Sequence, residues 1–311
     1  MNKKLVVKPS GIGGQAVLEG VMMKNRDRYA VAVRKSDGEI EVEKGYCQSL
    51  RDKYLVCDLP IIRGVVTFVE SLVLGMKSLT DSSKYYEDEE EENKQKQMDD
   101  ATKERHEKIE TTFTVILSIV LAVGIFMVLP FFISELLKNV IKSAKVLAVI
   151  EGIIRIILFI GYVFAISFVE DIKRVFMYHG AEHKTINCVE HMLPLTVENV
   201  RKQSREHKRC GTSFIFIVLF ISIIFFIFIR VDNMWLKVLY RIVLVPVIAG
   251  VSYEFIRLAG KSENALVNIL SKPGMMLQKL TTKEPDDSMI EVAIASVEAV
   301  FDWKKFQEDS K

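Results

Sequence analysis

Several protein classes are excluded by what this 311-residue sequence lacks. It has only four cysteines, Cys47, Cys57, Cys188 and Cys210. All four fall outside the apolar runs, in segments expected to face the reducing cytosol, so disulfides are not expected. The first ten residues have three lysines but no apolar core and no small-residue cleavage site, so a signal peptide is not expected. Net charge is only +2 and no basic stripe interleaves with aromatics, so no nucleic-acid partner is expected.

What the sequence does have is apolar residues, 50% of the chain, concentrated in runs that the 26% of charged residues mostly avoid. This partition is the signature of a polytopic membrane protein. Residues 111–134 hold no charge over 24 positions, and residues 211–229 hold none over 19. Either run is long enough to cross a hydrocarbon core of about 30 Å. Residues 146–169 include Glu151 and Arg155, which at i, i+4 share a helix face and neutralise each other. Residues 238–258 carry Arg241 near one end and Glu254 and Arg257 near the other. The expected fold class is therefore membrane α-helical, with about four transmembrane helices (111–134, 146–169, 211–230, 238–258) and a small α+β cytosolic part.

The loop 170–210 holds eight Lys or Arg, against three each in 135–145 and 230–241. By the positive-inside rule that loop is cytosolic and both termini with it, in a multi-pass protein of the cell membrane. Upstream, residues 1–60 read as a β-meander, with apolar runs at 15–23 and 29–35 separated by Asn25-Arg26-Asp27-Arg28, and a turn at Ser36–Glu39 leading into Ile40–Lys44. Residues 61–84 read as a membrane-surface or re-entrant helix, since 61–79 are apolar apart from a stripe of Arg63, Glu70 and Lys77 at i, i+7 and i+14. Residues 85–110 form a charged linker containing six consecutive acids from Glu87 to Glu92. In the C-terminal part, 259–311, Ser288 and Glu291 form a capping box ahead of an amphipathic helix expected to pack on the sheet.

Every histidine except His106 lies between residues 179 and 207. His179, Glu182 and His183 have the H-x-x-E-H spacing, which puts them on one face of a helix. In that arrangement two histidines bind a divalent ion, zinc or manganese, and Glu182 activates a water. Glu254, at the cytosolic end of the last span, is the candidate third ligand. A competing pattern pairs Cys188-x-x-His191 with His207-x-x-Cys210 as a structural tetrahedral site. Glu19, in a glycine-bounded apolar run, reads either as a buried carboxylate near a site or as the outward position of a half-exposed strand.

Six segments, Gly13–Met23, Ile62–Val66, His179–Glu190, Val197–Ser204, Arg209–Phe214 and Leu280–Ala295, resemble the YqhQ family of bacterial membrane proteins. That family is a domain of unknown function sometimes described as a metal-dependent enzyme. The resemblance implies that Glu19, His179, Glu182, His183, Cys188, His207 and Cys210 belong to the family's pattern. A histidine at the place of His191 is not part of it. The expected function is divalent-metal-dependent hydrolysis of a membrane-proximal substrate. The alternatives are a non-catalytic membrane scaffold or assembly factor, and a transporter component. Expected partners are the lipid bilayer and either further copies of the chain or other membrane proteins.

Overall fold

The computed structural model describes residues 8–85, 100–229, 231, 233–260 and 264–309. The described chain is mainly helical with one four-stranded antiparallel sheet, and it divides into two units. The first comprises residues 1–85, 163–217 and 249–311, the second residues 86–162 and 218–248.

The sheet of the first unit runs in sequence order: β1 (Ile12–Val17), β2 (Gly20–Asn25), β3 (Arg28–Arg34) and β4 (Ile40–Tyr46). The meander is as expected, but the run 15–23 is two strands, not one. It folds back at Leu18-Glu19, with Val17 paired to Gly20 and Glu19 in the left-handed region at φ 46°. The apolar text hides this turn, because residues 16–18 and 21–23 flank it with apolar side chains and the buried start of β2 lacks polar alternation. Val21, Met23 and Ala32 point into a core shared with two helices, α6 (Glu170–Glu190) and α11 (Asp287–Val300). Met22, Tyr29, Val31 and Val33 point the other way, toward Leu74. That leucine lies on α2 (Ile62–Ser83), which follows the short helix α1 (Leu50–Lys53). The cap of α11 is Asp286, whose carboxylate accepts the Met289 N–H, two residues earlier than the Ser288 box implied.

The expected loop 170–210 is largely helical, formed by α6 and the short α7 (Val197–Arg201). The two remaining C-terminal helices are α10 (Ala265–Thr281) and α12 (Trp303–Glu308).

Three helical stretches are long and apolar enough to cross a membrane: Ile109–Asn139, Ala144–Ile166 (α5) and Met234–Ala259 (α9). The first is α3 (Asp100–Val123), a π-helical turn Gly124–Val128, and α4 (Leu129–Leu136). A fourth apolar helix, α8 (Gly211–Ile227), is shorter at 17 residues. The acidic block Glu87–Glu92 lies outside the described residues.

Within the second unit, charges buried among apolar helices are matched to one another. Pro130 has no N–H to give the Phe126 carbonyl, and the Arg155 Nε donates to that carbonyl at 2.7 Å instead. Arg155 also donates to Glu151 (2.7 Å) and to Ser222 (2.9 Å), and Arg241 donates to the second Glu151 oxygen. The Arg241 guanidinium stacks on Phe131 and Phe226, 4.4 and 5.2 Å from their centroids. Glu151 is thus the one carboxylate between two buried guanidinium groups. Glu151→Ala should destabilise the protein in detergent by about 3–5 kcal/mol, because two buried cations lose their counter-charge. Thermal unfolding beside Glu151→Gln, which retains the hydrogen-bond acceptor, measures the loss; an unchanged midpoint in the Ala variant would refute this role.

Candidate metal centre

Helix α6 presents His179, Glu182 and His183 on one face, as the i, i+3, i+4 spacing requires. Its surroundings fix the two rings. The His179 Nδ1 faces the Thr281 carbonyl at 2.9 Å, and the His183 Nδ1 faces the Arg205 carbonyl. A carbonyl only accepts, so each Nδ1 carries the proton and each Nε2 keeps its lone pair for a ligand. Backbone support of this kind is the usual second layer of a metal site.

The ring centroids of His179 and His183 are 4.4 Å apart, and the Cys210 Sγ lies 3.3 Å from the His179 Nε2. Donor atoms of His179, His183 and Cys210 all fall within 4.8 Å of one another. Tetrahedral zinc with nitrogen and sulfur ligands spaces them by roughly 3.3–3.6 Å, so shifts of about 1 Å close the set. The residues present therefore fit the ion. Cys210 precedes helix α8, and the Thr212 N–H points at its sulfur (3.4 Å), an environment that suits negative charge.

Glu182 is buried, and one carboxylate oxygen stands 3.8 Å from the His179 Nε2 and 3.9 Å from the His183 Nε2. Those separations are too long for direct hydrogen bonds and leave a position for a bridging group. The Gly14 N–H of strand β1 donates to this carboxylate. Burial pushes the Glu182 carboxyl up to about 7 against the lowering effects of His179 and Gly14. A carboxylate titrating near neutrality is suited to proton transfer.

Two glycines permit this geometry. A Cβ on Gly14 would meet the Glu182 Cγ, the Met22 carbonyl and the Met23 sulfur. A Cβ on Gly180 would run into the Lys283 carbonyl, where the chain after α10 crosses α6. Gly180 costs helix propensity, and the close crossing is the reason it is there.

The other candidates lie elsewhere. Glu254 is not a third ligand: it takes the Arg63 Nε and Nη2 at 2.6 Å each and the Ile61 N–H, anchoring the start of α2. The Cys188, His191, His207, Cys210 tetrad is not assembled. Cys188 is buried against the Leu193 and Pro194 carbonyls, and burial pushes its thiol up to about 11, the behaviour of an inert core cysteine. His191 bonds Gln203 (2.7 Å), and the buried His207, held neutral by burial, faces Glu190 (3.4 Å). Glu190 also accepts from Arg209 and from the Ser10 N–H and hydroxyl, and against the raising effect of burial the His207 contact, Arg209 and the Ser10 N–H bring its carboxyl down to about 2. Glu19 is in the β1–β2 turn, where Arg174 and Tyr178 of α6 grip it, so it is neither an outward strand position nor a member of the cluster.

Sequence reasoning missed Thr281, Arg205 and Gln278. The first two act through backbone carbonyls, which side-chain chemistry does not advertise. Gln278 is fully buried and clasps His207 by both backbone groups, at 2.8 Å each, while donating to the Ser213 hydroxyl (2.7 Å).

A family model described as "Protein of unknown function (DUF1385)" matches residues 59–303. The "Uncharacterized protein YqhQ" of Bacillus subtilis (strain 168) is 37% identical over 297 residues, covering 93% of this chain and 91% of that protein. No solved structure matches.

The two displaced carboxyls set opposite pH dependences. Glu182 titrates near 7 when folded against an ordinary 4.5, so the folded state holds an extra proton between those values. Its contribution is full below pH 4.5 and lost as pH rises through about 7, up to about 3 kcal/mol in metal-free protein. Glu190, lowered to about 2, contributes above pH 4.5 and loses its contribution on acidification toward 2. Unfolding of chelator-treated protein across pH should therefore show a decline from 4.5 to 7 that Glu182→Gln removes; an identical slope in the variant would contradict the assignment.

Proposed function

This chain belongs to the DUF1385 family, to which the YqhQ motifs had pointed, and we propose that it is a multi-pass membrane hydrolase using a divalent metal ion at its cytosolic face. The observation that carries this reading is the convergence of two imidazole Nε2 atoms, each with its Nδ1 tied to a carbonyl, on the Cys210 sulfur beside a buried carboxylate.

His179, His183 and Cys210 hold the ion, and a thiolate with two imidazoles favours zinc over manganese. When bound, the ion supplies Lewis acidity and lowers the pKa of a coordinated water. Glu182 takes a proton from the attacking water and returns it to the leaving group, poised for both by its raised pKa. The Gly14 N–H holds that carboxylate in place, and burial keeps bulk water from competing for it. In this reading Gly211–Ile227 is a fourth span of the plasma membrane, with both termini and the α6 site cytosolic. The bilayer is the immediate partner.

A second reading, a non-catalytic scaffold, is favoured by the 3.3 Å approach of the Cys210 Sγ to the His179 Nε2, which can close as a direct hydrogen bond with no ion. Elemental mass spectrometry of detergent-purified protein separates the two. Near-stoichiometric zinc is expected in the wild type, with at least a roughly tenfold loss in His183→Ala and Cys210→Ser, since each removes one of three ligands. Glu182→Gln is expected to keep the metal and lose hydrolysis. Wild-type protein that stays metal-free after incubation with zinc would sink the enzyme reading and leave the scaffold.

A further inference from the structure

Helix α2 separates two environments. Thr67, Glu70, Ser71 and Leu74, at i, i+3, i+4 and i+7, line a cleft of about 930 Å³ shared with β1, β2 and the α1 turn. On the opposite side Val69, Leu72, Val73, Met76 and Leu79 form an exposed apolar stripe, and Val73 is 66% exposed. The segment leading into the helix extends this surface with Leu55 (91% exposed), Val56 and Leu59. Isolated exposed apolar residues need no explanation, but a continuous stripe of them on one helix face does.

The start of α2 shows what covers that stripe. Arg63 pairs with Glu254 of the apolar helix α9, and Gly64 lies so close to Gly250 that a Cβ on either would strike the other segment. Small-residue contact of this kind is how helices meet in membranes. Gly250 is nine residues before the end of α9 at Ala259, about 14 Å of helix rise, so α2 begins at the depth of a membrane-crossing helix. Its exposed apolar face extends from that contact along the helix, away from the side that packs on the sheet.

The inner face has different chemistry. The cleft presents the amides of Gln15 and Gln48 and the hydroxyls of Ser49, Thr67 and Ser71. Its charges balance, with Lys24, Arg26 and Arg51 against Asp27, Asp52 and Glu70. Arg51 is engaged by Asp58, and Glu70 by the Ser49 hydroxyl and the Leu50 N–H. Such a lining selects a neutral, hydroxyl-rich group over an anionic one. Gly14 is both a wall of this cleft and the donor to Glu182, so the cleft and the candidate metal centre share one residue.

We propose that this cleft binds the neutral, hydroxyl-rich head of a membrane lipid while the lipid's chains remain in the leaflet against the outer face of α2. This deepens the hydrolase reading by naming its substrate class, and rests on that reading only for what happens to the bound head.

The test uses full-length protein in phosphatidylcholine nanodiscs, with Trp235 and Trp303 changed to Phe and Cys47 and Cys57 to Ser. Tryptophan at Val73 should be quenched by nitroxide placed high on the acyl chain; emission typical of water, unquenched, would overturn the lipid-facing assignment. A bimane on Gln48→Cys should then report saturable binding of a disaccharide-headed diacylglycerol but not of phosphatidylglycerol. Thr67→Trp and, independently, Ser71→Trp fill the cleft and should weaken that binding by roughly tenfold or more. Binding should persist in His179→Ala, which separates this proposal from the metal reading. Absence of saturable binding, or equal binding in both filled variants, would refute the cleft as a headgroup site even if the metal is present.

Discussion

The crossing of residues 281–285 over α6 at Gly180 is the contact on which the geometry of the site depends. Lys283 donates to the Phe176 carbonyl at 2.8 Å, and its own carbonyl occupies the space a side chain at 180 would need. The crossing sets the Thr281 carbonyl against His179 and the Thr282 carbonyl against Arg205, whose own carbonyl faces His183. One strut therefore orients both imidazoles. A methyl group at 180 would push it away and loosen two rings at once, although residue 180 touches neither. Ring orientation is what decides whether an Nε2 lone pair points at a shared centre or into the core.

Against that frame, the buried and half-buried carboxylates sort themselves by partner. Glu151 has Arg155 and Arg241, Glu190 has Arg209, Glu254 has Arg63 and Glu19 has Arg174. Each guanidinium compensates a charge that would be costly to bury alone. Among the described residues, the ion-pairing neighbours of Glu182 are only the two histidines, each beyond hydrogen-bond distance. Among the described buried acids, Glu182 is the one that faces histidines and no lysine or arginine, and a bound divalent ion would supply the missing charge there. This contrast, more than the H-x-x-E-H spacing, distinguishes Glu182 from its structural neighbours.

The sequence made legible whatever depends on local periodicity. Apolar runs located the three membrane-length helices, two of them despite charges within the run, and the Arg63, Glu70, Lys77 stripe marked the face of α2 that turns inward: Arg63 meets Glu254, Glu70 meets Ser49, and Lys77 meets the Tyr29 hydroxyl (2.9 Å). The i, i+3, i+4 spacing likewise assembled half the site. Pairings between distant segments were not legible. Glu254 and Cys210 are both reasonable third ligands by depth and chemistry, and only the fold shows that Glu254 is taken by Arg63, 191 residues away. The turn at Leu18-Glu19 was hidden because the apolar end of β1 and the apolar start of β2 read as a single run, and the polar residue at the turn looked like a strand position.

The site also joins parts of the chain that stand differently against the family model. His179, Glu182, His183 and Cys210 all fall within the matched residues 59–303, while the sheet that supplies Gly14 precedes them. The candidate ligands come only from the α6 face and the residue before α8, with the strut after α10 orienting the imidazoles. The cleft needs β1 and β2 as its second wall and α2 as its first. The two candidate sites thus draw on different parts of the chain and meet at the Gly14 N–H, where the edge of the sheet touches the Glu182 carboxylate. At this point a group held in the cleft would come within reach of the chemistry, because a backbone donor without a side chain lets the strand approach the carboxylate more closely than any other residue would.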